Sequence, residues 1–160
     1  MIKTLFVCLG NICRSPLAEG IFAHLVEQAK LQHRLSCDSA GTSNYHIGEL
    51  PDYRARQIAR KYGIVLPSRA RQIQPSDFDS FHYILTMDQS NLRYVLRLKE
   101  QYAPTSQAQI LLLRHFDPIK DDSLEVKDPY YGDMDDFEEC FQVVHRCVNS
   151  LLEYLKEKYL

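Results

Sequence analysis

Short apolar runs alternate with helical patterns along this chain, and that alternation restricts the fold more than any other feature. It is visible at once near the start. Ile2 to Val7 places Leu5, Phe6 and Val7 in succession, a run suited to a strand buried on both faces. A tight loop follows from Cys8 to Arg14, and Ser15-Pro16 then offers an N-cap and a first helical residue. Leu17, Ile21, Leu25 and Val26 recur at helical spacing, with Glu19 near the positive end of that helix. Strand, loop and helix in this order open a βαβ unit.

The pattern continues to the C-terminus. Leu35 to Ser39 reads as a second strand. A polar loop with Gly41, Asn44, Gly48 and Pro51 leads to a helix capped by Asp52 and ended by Gly63. Pro67 to Ser76 reads as irregular and basic. Tyr83 to Met87 is a third strand, followed by a helix capped by Asp88 or Ser90 that ends near Tyr102. Ile110 to Leu113 is a fourth strand, Lys127 to Met134 is turn-rich, and Phe137 to Leu155 is a long amphipathic helix. The expectation is an α/β fold: one domain over 1–160, with a four-stranded parallel sheet and helices on both faces. Ligands of such sheets bind beyond the carboxyl ends of the strands, where the Cys8 loop stands.

Composition narrows the function. A net charge of -2 with 25% charged residues speaks against a nucleic-acid partner. Nothing approaches the roughly 18 consecutive apolar residues of a membrane span, and the N-terminal run is too short for a secretory signal. A cytoplasmic location is expected. The five cysteines, Cys8, Cys13, Cys37, Cys140 and Cys147, do not space out as a disulfide framework or as paired zinc ligands. No metal and no cofactor is expected.

The loop "VCLGNICRSP", Val7 to Pro16, carries the chemistry. Backbone N–H groups between a strand and a helix can turn inward as an anion nest, and the helix end adds its own unpaired donors. Gly10 and Asn11 tolerate left-handed backbone. Arg14 supplies a planar, permanently charged fork for phosphate oxygens. In that setting the Cys8 thiolate is favoured and stands as a nucleophile toward a bound phosphoryl group. A buried structural cysteine and an unrelated arginine are also compatible with the spacing. The loop matches neither GxxxxGK[ST] nor GxGxxG.

With "VCLGNICRSP", "DPYYG" at Asp128 to Gly132, "DSAGTS" at Asp38 to Ser43, "RARQI" at Arg69 to Ile73 and "MDQSNL" at Met87 to Leu92, the chain resembles the low-molecular-weight protein tyrosine phosphatases along nearly its whole length. The resemblance implies hydrolysis of phosphotyrosine and small aryl phosphates through a cysteinyl-phosphate intermediate. Cys8 would be the nucleophile, and Arg14 with the amides of Leu9, Gly10, Asn11, Ile12 and Cys13 would hold the phosphoryl oxygens. Asp128 would be general acid, then base; read without the resemblance, an aspartate before proline is ordinary turn chemistry. Asn11, Ser15 and Ser39 would form a network that supports the loop, with Ser15 also serving Cys8. Tyr45, Tyr130 and Tyr131 would wall a slot for an aromatic ring. Ser68 departs from members that carry histidine there. Ile12, where related arginine phosphatases tend to carry threonine, argues for phosphotyrosine. The resemblance also implies a protective Cys8–Cys13 disulfide. Cys140 and Cys147 fall on the apolar face of the last helix and read as core; Cys37 reads as a strand residue.

The implied partners are phosphotyrosine proteins and free oxyanions. A monomer is expected, with weak self-association left open. Two alternatives stand beside the enzyme. An arsenate reductase of the same architecture would need further thiols, and no cysteine lies between Cys37 and Cys140. A non-catalytic phosphotyrosine-binding module would bind without turnover.

Overall fold

The computed structural model describes residues 1–119 and 121–160. Four strands form one sheet: β1 (Ile2–Cys8), β2 (Leu35–Gly41), β3 (Tyr83–Thr86) and β4 (Gln109–Leu112). All pairings are parallel, in the order β2-β1-β3-β4. The intervening helices are α1 (Arg14–Gln28), α2 (Tyr53–Lys61), α3 (Asp77–Ser80) and α4 (Gln89–Tyr102), and α5 (Met134–Tyr159) closes the chain.

β1 is central and buried on both sides. Phe6 and Cys8 belong to the core shared with α1, α2 and α5, whereas Leu5 and Val7 pack with Ile84, Val95 and Phe78 on the opposite face. Strand pleating produces this split, since successive side chains point to opposite faces. α5 buries Phe137, Phe141, Val144, Val148, Leu151, Leu152 and Leu155. Each of those side chains contributes roughly 1.5–3 kcal/mol as an upper estimate of burial. The sequence order turns at β1, with β2 on one side and β3 on the other. The crevice beyond the carboxyl end of β1 is therefore the place where such a sheet receives ligands.

The expected architecture holds, with shifts at element ends. β4 begins one residue earlier than expected, α5 is longer at both ends, and the short α3 was not expected. Asp52 and Asp88 cap α2 and α4 by accepting from Arg54 N and Asn91 N. Gly63, at φ +77°, follows α2 in the left-handed conformation of a helix end. The segment expected to be irregular is partly paired: Gln72 makes a parallel bridge to Gly41.

One local expectation is overturned. Ser15 is not the N-cap of α1, and Pro16 is not its first residue. The helix begins at Arg14 after Cys13, with no side-chain cap. Pro16 fits in the first turn because the N–H groups there have no intrahelical acceptor to lose. Ser15 is released from capping and turns its hydroxyl toward Cys8.

Candidate active site

β1 delivers Cys8 to the floor of a cavity of about 140 Å³. The loop from Leu9 to Cys13 wraps round it, and α1 begins at Arg14. Cys8, Leu9, Gly10, Ile12, Cys13 and Arg14 line the lower part; Tyr45, Asp128, Tyr130 and Tyr131 form the upper walls. Tyr131 is 95% exposed and Tyr45 74%, whereas Tyr130 is 37% exposed. His46, which sequence reasoning passed over, completes the wall and lies 6.5 Å from the Tyr130 ring, centroid to centroid.

The loop holds its shape through side chains behind it. Asn11 takes φ +58°, a conformation that asparagine adopts more readily than most residues. Its Nδ2 donates to Ser15 Oγ at 2.8 Å and to Ser39 Oγ at 2.9 Å, and its Oδ1 accepts from Arg71 N at 3.0 Å. Asn11, Ser15 and Ser39 are all buried and do not line the cavity. The network extends further than expected. Ser39 Oγ donates to Glu19 Oε1, and Ser68 Oγ donates to Glu19 Oε2. Burial pushes the Glu19 carboxyl above its ordinary range, against the two hydroxyls that favour its charged form. Glu19 was expected only as a charge near the helix end; its place here depends on β2 and the Ser68 segment converging on α1.

Two donors face the Cys8 sulfur. Asn11 N–H donates to it at 3.3 Å, and Ser15 Oγ lies 3.0 Å away. Ser15 Oγ already accepts from Asn11 Nδ2, so its own hydrogen is free. The sulfur is a closer acceptor for it than the Ala40 carbonyl at 3.5 Å. Both hydrogens therefore point at the sulfur. Among the described residues, the N–H groups of Leu9, Gly10, Ile12 and Cys13 have no protein acceptor, which leaves them available to an oxyanion.

Arg14 is 3% exposed, yet charged groups surround it. Its Nη1 donates to Asp88 Oδ2 at 2.8 Å and to the Val126 carbonyl at 2.9 Å, and Nη2 lies 3.5 Å from Asp128 Oδ2. Burial disfavours its charge, but Cys8, Asp88 and Asp128 outweigh that and hold the guanidinium protonated above its ordinary value. Asp88 was expected only as a helix cap; its second carboxylate oxygen anchors Arg14. Asp128 Oδ1 accepts from Tyr130 N at 3.1 Å, and its side chain is 39% exposed at the mouth.

All five cysteines are free thiols. Burial, then Asp52 and Cys8, push the Cys13 thiol well up. Cys140 and Cys147 are core, and burial raises both to about 12. Cys37 is half-buried on β2. Among the described residues, no group of three or more His, Cys, Asp or Glu is arranged to hold a metal ion, and no helix is long and apolar enough to cross a membrane.

Comparison with known proteins agrees with this architecture. Residues 3–159 match the family described as low molecular weight phosphotyrosine protein phosphatase. The chain is 48% identical to the human protein of that name over 151 residues, 94% of each chain. A protein tyrosine phosphatase from Entamoeba histolytica superposes with a TM-score of 0.89 at 36% identity, covering 100% of both chains. A Drosophila arginine phosphatase superposes with a TM-score of 0.92 at 33% identity, covering 98% of this chain and 99% of the other. The chain belongs to the low molecular weight phosphotyrosine protein phosphatase family.

Proposed function

We propose that this protein hydrolyses phosphotyrosine and small aryl phosphates through a covalent cysteinyl phosphate. One observation carries the reading: Cys8, Arg14 and Asp128 line a single cavity, thiol at the floor and carboxyl at the mouth. The Cys8 thiolate attacks phosphorus as the bond to the phenolic oxygen breaks. Asp128 gives its proton to that oxygen. Asp128 then takes a proton from water, which attacks phosphorus, and the P–S bond breaks to restore the thiolate. Arg14 and the free loop amides neutralise the equatorial oxygens in both steps.

Tyr45, Tyr130 and Tyr131 give the walls flat surfaces suited to an aromatic ring. The likeness to a Drosophila arginine phosphatase favours a second reading, phosphoarginine. Against it stands Ile12, whose apolar side chain on the wall gives a guanidinium no acceptor. A cytoplasmic monomer acting on phosphoproteins fits five unpaired thiols. Cys13, next to the nucleophile on the same wall, suits a protective partner. Peroxide would oxidise Cys8 to the sulfenic acid, which condenses with the Cys13 thiol to a disulfide and releases water. Reactivation by added thiol that persists in Cys13→Ala refutes this.

The primary test is turnover of p-nitrophenyl phosphate. Steady hydrolysis in wild type that vanishes in Cys8→Ser is the expected result; tight phosphotyrosine binding without turnover would make the chain a binding module. Parallel phosphotyrosine and phosphoarginine peptides decide between the two substrates.

A further inference from the structure

The segment that carries Asp128 is tied at both ends by guanidinium groups that do not line the cavity. At its start, Arg114 Nη1 donates to the Glu125 carbonyl at 3.1 Å. At its end, Arg54 Nη2 donates to the Tyr130 carbonyl and Nη1 to the Gly132 carbonyl, each at 3.0 Å. The Tyr130 N–H in turn donates to Asp128 Oδ1 at 3.1 Å.

Arg54 is itself oriented. Its Nε and Nη2 donate to the two oxygens of Asp52 at 3.0 Å, and its guanidinium carbon lies 4.4 Å from the centre of the Phe137 ring. Asp52 N–H donates to the Ile12 carbonyl at 2.7 Å. A hydrogen-bonded path therefore runs from the phosphate loop through Asp52 and Arg54 to the Asp128 carboxyl, around the cavity rather than across it. Within the cavity, Asp128 has the longer 3.5 Å contact to Arg14.

We propose that Arg54 is the positioning residue for Asp128. Its fork holds the Tyr130 and Gly132 carbonyls at a set distance from the phosphate loop and so aims the carboxyl at the leaving-group oxygen. The proposal rests on the acid role given to Asp128 above. A planar fork is needed because one side chain must meet a carboxylate and two carbonyls at once, which a lysine ammonium cannot do in that geometry. Misplacing an acid by an ångström costs up to about 100-fold in rate.

The test compares kcat/KM across aryl phosphates of graded leaving-group basicity in wild type, Arg54→Met and Arg54→Lys. For phenyl phosphate, Arg54→Met should lower kcat/KM by about 10-fold or more. For dinitrophenyl phosphate, whose leaving group departs without a proton, the change should stay below about twofold. Vanadate inhibition reads the phosphate loop separately and should be unchanged. Arg54→Lys should show the same steepening, and it takes over as the test if Arg54→Met no longer binds vanadate. Uniform losses across the series, no loss at all, or full rescue by lysine would overturn the proposal. Asp128→Asn is measured alongside. If it leaves the leaving-group dependence untouched, the acid role fails; if it steepens the dependence while both Arg54 variants do not, only the positioning role fails. The double variant Arg54→Met/Asp128→Asn should lose no more than Asp128→Asn alone.

Discussion

Gly41 offers a measure of how rigid the phosphate loop is. It ends β2 opposite Cys8, and its backbone is gripped from the other side: Gly41 N donates to Arg71 O, and Ile73 N to Gly41 O, both at 2.8 Å. A Cβ at this position would lie 2.7 Å from the Leu9 carbonyl oxygen and 3.2 Å from Asn11 N. An ordinary contact begins at 3.4 Å, so the Leu9 carbonyl would have to withdraw by about 0.7 Å. It is not free to do so, because it accepts from both Ser43 N and Ser43 Oγ at 3.0 Å. The strand cannot retreat either. Gly41→Ala should therefore cost about 1–3 kcal/mol of stability, the usual range for overpacking, and lower the Tm by roughly 3–10 °C. The displaced loop would also misalign its amides. A single oxyanion donor is worth about 100- to 1,000-fold in kcat, so partial misalignment should cost about 10- to 100-fold. Thermal unfolding, p-nitrophenyl phosphate kinetics and vanadate inhibition read the three effects. Gly63→Ala is the control. Unlike Gly41, Gly63 has positive φ, but nothing lies within 4 Å of a Cβ there, so it should lose about 1 kcal/mol of stability through backbone strain and keep its kcat/KM. A Gly41→Ala enzyme with wild-type stability and turnover would refute the picture of a loop without slack.

Asp117 is buried and accepts from Arg114 Nε and Arg146 Nε at 2.8 Å. Burial alone would raise its carboxyl, but Arg146, the Ile119 N–H and Arg114 bring it down to about 2. The lowered value means that this stabilisation is complete above the ordinary 3.8 and is lost as pH falls through the folded value. Urea unfolding followed from about pH 5 to pH 2 should show about 2 kcal/mol of acid-dependent loss from this group, and Asp117→Asn should remove that component while costing about 3 kcal/mol at neutral pH. An unaltered pH slope in the variant would refute it. Ser68→Ala removes a donor to buried Glu19 and should cost about 1–2 kcal/mol, read by chemical denaturation; no change would show that water replaces the hydroxyl. EDTA should leave turnover unaltered, because the proposed mechanism needs only the thiol, the guanidinium and the carboxyl. A loss restored by added metal would contradict that.

Periodicity sufficed for the architecture because a strand buried on both faces and a helix buried on one leave different apolar spacings. It was enough to order the four strands and four longer helices along the chain and to place Cys8 at a carboxyl end. The loop chemistry was legible for a similar reason: Cys8, Gly10, Asn11 and Arg14 are close in sequence, so local geometry alone brings them together. Element ends were less legible. Ser15-Pro16 resembles a helix start, yet α1 begins two residues earlier, at Arg14, and the Ser15 hydroxyl faces Cys8 instead of capping the helix. What lies behind and above the loop depended on long-range convergence. Glu19 meets Ser39 and Ser68, Asp88 meets Arg14, and Arg54 reaches Tyr130 and Gly132. These are pairs of ordinary polar residues far apart in the chain, with no spacing to mark them. The sequence by itself determined the sheet and the loop that gathers Cys8, Gly10, Asn11 and Arg14 at its carboxyl end, because those follow from neighbours along the backbone. Only the tertiary structure decided what orients Arg14 and Asp128 across the cavity, because hydrogen bonds between distant segments exist only once the sheet has brought those segments together.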